Sequence, residues 1–316
     1  MVLWPPATRR ARAHQTVTST KVIRREGRRN KLTSPLAILL SIPAIVGIVV
    51  VYLVPFVGTI RLSFSKWAGV GRVAPAGTAN YRGLFSDTSF YYSLRITLVF
   101  AAVITAGVMV LATATAMSVR RGRVATVLRV IWFLPAIAPP TAIAVYWGFS
   151  FQPISGAVNG ILGKVGLGSG HTWLASLDQA RWAVMAVAIW AGVAFPFLVL
   201  VGAIARISPS LYEAADLDGA PKWRQAWNVT LPMIQPVLVM ITVLELIWNF
   251  NSFTFIWAMT RGGPVSSTST LPVRLYSDAF VHFDFGEASA IGVMASVVLV
   301  AAGLIGLRFA NSRSET

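Results

Sequence analysis

Six long stretches of this chain carry almost no charge, and that pattern leaves few structures open to it. They run from about Leu36 to Pro55, Ile96 to Val119, Val130 to Phe149, Trp182 to Ile204, Met233 to Met259 and Ala288 to Leu307. Only the fifth contains an acid, Glu245. A helix needs roughly 20 apolar residues to cross about 30 Å of hydrocarbon. Lipid offers the backbone no hydrogen-bond partners, so each run should be helical. Of 316 residues, 55% are hydrophobic and 12% charged, more apolar material than one soluble core can hide. The sequence predicts an all-α integral membrane protein of about six transmembrane helices. Pro43, Pro135, Pro139, Pro140, Pro196 and Pro236 fall in or beside the runs and are expected to kink them.

The net charge of +16 could suggest nucleic acid, but its distribution argues against that partner. Nine basic residues, among them Arg9, Arg24 and Lys31, precede the first run. Arg120, Arg121 and Arg123 follow the second, and Arg206, Lys222 and Arg224 follow the fourth. Basic residues gather on the cytoplasmic side, so both termini are expected in the cytoplasm and the basic arm near anionic lipid. Residues 1–34 read as a disordered basic arm, 35–310 as the membrane domain and 311–316 as a cytoplasmic tail. The first apolar run is too long for a signal peptide. Segment 150–181, with Ile161, Leu162, Val165 and Leu167 among glycines, suits a short helix at the outer interface. The absence of cysteine excludes disulfides, thiolate nucleophiles and cysteine-based metal sites.

One polar loop, 208–232, stands out between the fourth and fifth runs. Ser210 and Glu213 have capping-box spacing, so a helix should begin near Leu211. Gly219 should end it. Pro221 suits the first turn of a second helix, and Pro232 should redirect the chain into the fifth span. Ala214 and Ala215 would let another protein approach closely, and Glu213, Asp216, Asp218, Lys222 and Arg224 could fix its register. The spacing fits equally an amphipathic hairpin resting on the membrane surface.

Glu213-Ala214-Ala215, Gly219 three residues on and Leu231-Pro232 beyond resemble the EAA loop of ABC-importer permeases, with Val229 where isoleucine is usual. Asp218-Gly219-Ala220 and Trp223 are similar to the carbohydrate-importer branch. Asn80-Tyr81 with Asp87, Phe90 and Thr97, Thr260-Arg261-Gly262-Gly263-Pro264, and Gly286 to Ala290 resemble further permease segments. The resemblance covers the chain from about Pro35 and implies a type I ABC-importer permease fold. It implies that Glu213, Ala214, Ala215, Asp216, Asp218, Gly219, Leu231 and Pro232 couple to a cytoplasmic ATPase. The implied partners are a second homologous permease, two ATPase copies that use ATP and magnesium, and an external solute-binding protein.

In the fifth run Glu245, Asn249 and Ser252 are spaced four and three apart and share a helical face. Polar groups at membrane depth face a bundle interior or a watery cavity. They could bind sugar hydroxyls while Trp248 stacks on a ring, or they could join neighbouring helices. Asn249-Phe250-Asn251-Ser252-Phe253 resembles a sugar-contacting stretch of the maltose permease, which implies a substrate site. There Glu245 stands where that protein has serine. Gly192, after Trp190, matches a glycine near that site, although close helix packing also explains it.

No phosphate-binding G-x-x-x-x-G-K-[ST] loop is present, so the chain is expected to be a transport subunit that does not itself hydrolyse ATP. No catalytic or metal-binding constellation stands out, and His14, His171 and His282 are dispersed. The expected activity is ATP-driven uptake of a sugar. A polyol or glycerol phosphate importer is the alternative. An ion-coupled transporter leaves the EAA loop unexplained, and a non-transporting anchor would make Glu245, Asn249 and Ser252 interhelical glue.

Overall fold

The computed structural model describes residues 35–118 and 123–312. The expected arm, 1–34, and residues 313–316 of the expected tail lie outside the described residues. The chain divides into two compact units at Val54/Pro55.

In the first unit α1 (Pro35–Ile48) runs through Pro43 into a π turn, Val49–Leu53. Its described side chains, 39–54, are all exposed, which suits a helix with lipid or another subunit as its surroundings.

The second unit takes in α2 (Val54–Ser63) from Pro55 onward, then a two-residue antiparallel ribbon of β1 (Ser65–Lys66) and β2 (Ala74–Pro75). Next come α3 (Ala79–Ser86) and α4 (Thr88–Ser118). Helix α4 is the spine of this unit. Ile96, Phe100, Ile104, Val108, Ala112 and Ala116 recur every fourth residue and are all buried, so one stripe of a single helix supplies the core. Its first half packs in a cluster with Val184, Val187 and Ile256. Its last turns pack with Phe197, Leu200 and Ile234.

The third run is not one helix. It forms α5 (Arg123–Ile137) and α6 (Pro140–Ser150), bent by 105°. The expected kink is therefore a full break. Pro139 and Pro140 both lack an N–H, and Pro139 takes an extended backbone at ψ 136°, the conformation that a following proline favours. The expected short helix after it is α7 (Ala157–Lys164). The fourth run is divided at Val193 into α8 (Leu177–Gly192) and α9 (Ala194–Ala205). Pro196 lacks the N–H that would satisfy the Gly192 carbonyl.

Two further helices, α10 (Pro209–Leu217) and α11 (Lys222–Gln225), lead through a π turn at Ala226–Thr230 into α12 (Leu231–Phe250). The fifth run ends there and resumes as α13 (Thr254–Thr260). The fold closes with α14 (Leu271–Phe280) and α15 (Phe285–Ser312). Among the described residues five helices are long and apolar enough to cross a membrane, or six if the bent pair counts as one span. The fold is thus all-α, of about six membrane helices, as expected.

Candidate functional site

The loop between α9 and α12 is held by short polar bonds. Helix α10 starts two residues earlier than Ser210 and Glu213 suggest: Ser208 is its N-cap, without a side-chain capping bond, and Pro209 occupies the first turn. Proline fits there because its missing N–H would be unsatisfied anyway, so the expected capping box does not form. Gly219 ends α10 as predicted, at φ +70°, and the Ala220 amide donates back to the Ala215 carbonyl at 2.9 Å. Pro221 is the N-cap of α11 rather than its first residue.

The second short helix is also not separate from the fifth span. At Ala226–Thr230 the hydrogen-bond register shifts, and the Leu231 amide reaches the Ala226 carbonyl five residues back. Pro232, with no amide to place, then sits in the first turn of α12 and does not redirect the chain.

Gln225, which spacing did not nominate, is the centre of the loop. Only 1% of it is exposed. Its Nε2 donates to Asp216 Oδ1 at 2.5 Å and to the Ala220 carbonyl at 2.9 Å. Lys222 Nζ donates to the same Asp216 oxygen at 2.6 Å. Asp216 and Lys222 are thus engaged inside the loop. Tyr212 pairs its hydroxyl with Thr230 at 3.0 Å, tying α10 to the start of the fifth span. Glu213, Ala214, Asp218, Gly219 and Pro232 are exposed, and Ala215 and Leu231 half-buried. Leu217 projects with 90% of its surface free.

All five sequence-nominated substrate residues line one cavity, of about 470 Å³, between α5, α6, α8, α9, α12 and α13. Glu245 is 3% exposed. Asn249 Nδ2 donates to Glu245 Oε2 at 3.3 Å and to Thr105 Oγ1 on α4 at 3.1 Å. Ser252 lies beyond the end of α12 yet reaches the same cavity. Trp248 meets Phe195 edge-on, with ring centroids 5.2 Å apart. Gly192 does both things considered for it. It lines the cavity, and a Cβ there would come within 2.9 Å of Val108. Thr105 was missed because nothing in local spacing links it to a residue 144 positions away.

Residues 108–313 match the family of binding-protein-dependent transport system inner membrane components. The chain belongs to that family. It is a permease subunit of an ABC importer, a multi-pass membrane protein whose role is transport. It is 32% identical to an sn-glycerol-3-phosphate transport system permease of Agrobacterium fabrum, over 75% of this chain and 81% of that one. It is also 32% identical to a diacetylchitobiose uptake system permease of Streptomyces coelicolor, over 84% and 79%. A bacterial ABC transporter that imports alginate shares its fold, with TM-score 0.76 and 21% identity over 88% of this chain and 95% of that one.

The permease's remaining motif residues meet at the ends of its helices away from the loop. Arg274 on α14 binds Asp87 at 2.6 Å, Glu287 at 3.0 Å and Asp278 at 3.4 Å. Burial pushes the Asp87 carboxyl up, but the Arg274 hydrogen bond and charge and the Ser89 amide outweigh it, leaving it below its ordinary value. Burial likewise opposes the charge on Arg274, and its carboxylate partners outweigh it, so its pKa is raised. Asn80 donates to the Ser63 and Ser65 carbonyls, both at 2.9 Å. A Cβ on Gly286 would run into the Ser65 carbonyl. Thr97 Oγ1 accepts the Leu271 amide at 2.8 Å, and Thr260 pairs with Thr268 across the Gly262-Gly263-Pro264 turn at 2.7 Å.

Proposed function

We propose that this permease carries a saccharide, handed over by an external binding protein, through the cavity that Glu245, Trp248, Asn249, Ser252 and Gly192 line. One observation carries the reading. A carboxylate, an amide and a hydroxyl converge beside exposed indole and phenyl rings, the combination of fixed polar groups and flat apolar surface that suits a sugar. Among the described residues no Lys or Arg lines the cavity, which argues against the glycerol phosphate alternative despite the relatives of that name.

Loop 208–232 is the ATPase-coupling element, with both termini on its side of the membrane. Its internal bonds keep it stiff while Leu217, Glu213 and Asp218 remain free to enter a groove. Two ATPase copies, supplied with ATP and magnesium, and a second permease complete the transporter. ATP drives alternating access through its different affinity for the two states.

The test is radiolabelled saccharide uptake by reconstituted transporters. Asn249→Leu should lower uptake at least about tenfold while assembly is retained, since it leaves Glu245 and Thr105 unpaired. Unchanged uptake kinetics would remove Asn249 from the path. Because the chain has no cysteine, Leu217→Cys gives a unique crosslinking handle. It should capture the ATPase, and capture of lipid alone would reject the coupling role.

A further inference from the structure

A second cavity, of about 800 Å³, opens at the ends of the helices away from the coupling loop. Its volume lies within the roughly 300–1,000 Å³ of small-molecule sites, but its lining is mostly polar. The starts of α4 and α8, the turn at 265–269 and α14 form the wall. Several hydroxyls on it have no partner inside the protein. Ser93 is only 3% exposed, yet its hydroxyl, like those of Ser269 and Ser277, bonds to no group among the described residues. A buried hydroxyl is unfavourable in that state unless something outside the chain completes it. Arg181 donates to the Tyr92 hydroxyl at 2.7 Å and to the Ser267 carbonyl at 2.9 Å. Tyr92 therefore accepts there, and its own proton is left to donate. Arg181 uses one further hydrogen on the exposed Asp178 at 3.4 Å, so its guanidinium has donors to spare. Arg274 gives Nε and Nη2 to carboxylates, and its buried Nη1 has no partner. The charges on the wall cancel, because Asp87 and Asp278 match Arg181 and Arg274. His282, also on it, pairs with Asp278 at 3.0 Å.

Both cavities lie along one face of α8. Arg181 lines this one, and Ala188 and Gly192, about two and three turns further on, line the first. Val184 on the same face is fully buried between them and packs in one cluster with Phe100 and Ile256.

We propose that this cavity is a second, outer solute site, which takes a neutral saccharide before the packed layer around Val184 gives way. This rests on the saccharide-transport reading above and adds a site to it. Each sugar hydroxyl both donates and accepts, so a sugar can complete the free serine hydroxyls, the Tyr92 proton and the spare Arg181 hydrogens together. A phosphate or a carboxylate would bring a charge that no unbalanced cation on the wall meets, close to Asp87 and Asp278.

The experiment is cysteine protection in the complete transporter, reconstituted in liposomes without the external binding protein. The chain has no cysteine, so Ser277→Cys places one thiol on the cavity wall. Ser86→Cys, exposed on α3 and off the lining, is the control. Labelling of this chain by a membrane-impermeant maleimide is timed in the presence of cellobiose, maltotriose or sn-glycerol 3-phosphate. A saccharide at about 10 mM should slow labelling of Ser277→Cys at least about threefold, as a millimolar Kd requires, and leave Ser86→Cys unchanged. Glycerol phosphate should protect neither. Ser93→Ala, which breaks no bond inside the protein, should raise the half-protecting concentration about two- to tenfold without lowering the thermal midpoint. Asn249→Leu should lower uptake, as above, yet leave this protection intact, so failure of the inner path and failure of this site read out separately. No protection by either saccharide, equal protection by glycerol phosphate, a half-protecting concentration unmoved by Ser93→Ala, or protection that requires the external binding protein would each overturn the proposal.

Discussion

Gly192 shows how little space α4 and α8 leave each other. A Cβ on it would approach Val108 Cγ2 to 2.9 Å, and on the other helix a Cβ on Gly107 would approach Ile189 Cδ1 to 2.6 Å. Each helix thus sets a glycine against a branched side chain of its neighbour, the close approach that small residues permit in membrane bundles. Gly192→Val should cost about 1–3 kcal/mol of stability and lower the thermal midpoint of the detergent-solubilised protein. Gly192→Ala should cost less, because it adds a single methyl against Val108, although that buried, β-branched side chain must still give way. A midpoint unchanged in Gly192→Val would show that the helices separate there at little cost. Glu245 and Asn249 were legible from their spacing because they share one helix face. Ser252 was nominated by the same rule although α12 ends at Phe250, and it reaches the cavity through the turn that follows. Thr105 and Gln225 were not legible: each matters through a partner that its own helix's periodicity does not reveal.

At the scale of elements, the coupling loop separates what backbone chemistry announces from what it conceals. Gly219 announced the end of α10, since a left-handed residue there favours glycine. No atom lies within 4 Å of a Cβ built on it, so substitution acts through backbone strain alone. Gly219→Val should therefore strain the turn by about 1–3 kcal/mol, leave the protein in the membrane and uncouple ATP hydrolysis from uptake. Gly219→Asn, which tolerates the left-handed region, should keep most of the coupling. Equal losses in both, measured as solute transported per ATP hydrolysed, would point to a contact with a partner in place of strain. Gln225→Leu should cost about 1–3 kcal/mol, because the Ala220 carbonyl and Asp216 lose a buried donor, and should increase proteolytic cleavage within 216–222. The start of α10 and the π turn were concealed because Ser208-Pro209 competes with a plausible capping box, and because a register shift has no residue signature beyond the proline it accommodates. The same limit applies at Pro139-Pro140. Two adjacent prolines guarantee a disturbance, but the angle of 105° at which it is set goes with the packing of α6 in one cluster with α8 and α13, which the prolines alone do not announce.

Across the whole molecule, the Arg274 cluster joins segments far apart in the chain: Asp87 before α4, Asp278 on α14 and Glu287 in the first turn of α15. The guanidinium side chain is only 13% exposed and that of Asp278 12%, so removing the cation would leave Asp278 buried without it, while Asp87 and Glu287 keep partial contact with solvent. Arg274→Ala should lower stability by about 3 kcal/mol or more. Asp87→Asn should cost less, because Arg274 keeps Asp278 and Glu287. The pH dependence follows from the direction of the Asp87 shift. Its folded pKa lies below the ordinary 3.8, so the stability it contributes is fully present above that value and is lost as pH falls through the lower folded one. Thermal melts should therefore show no contribution from this pair to any change across about pH 5 to 8. Asp87→Asn should remove a stabilisation that is constant over that range and shrinks only in stronger acid. A difference between the wild type and Asp87→Asn that grew or vanished near neutrality would mean that Asp87 is not paired with Arg274 in the membrane. The start of α4 would then lack this ionic tie to α14, while Arg274 still joined α14 to α15 through Glu287.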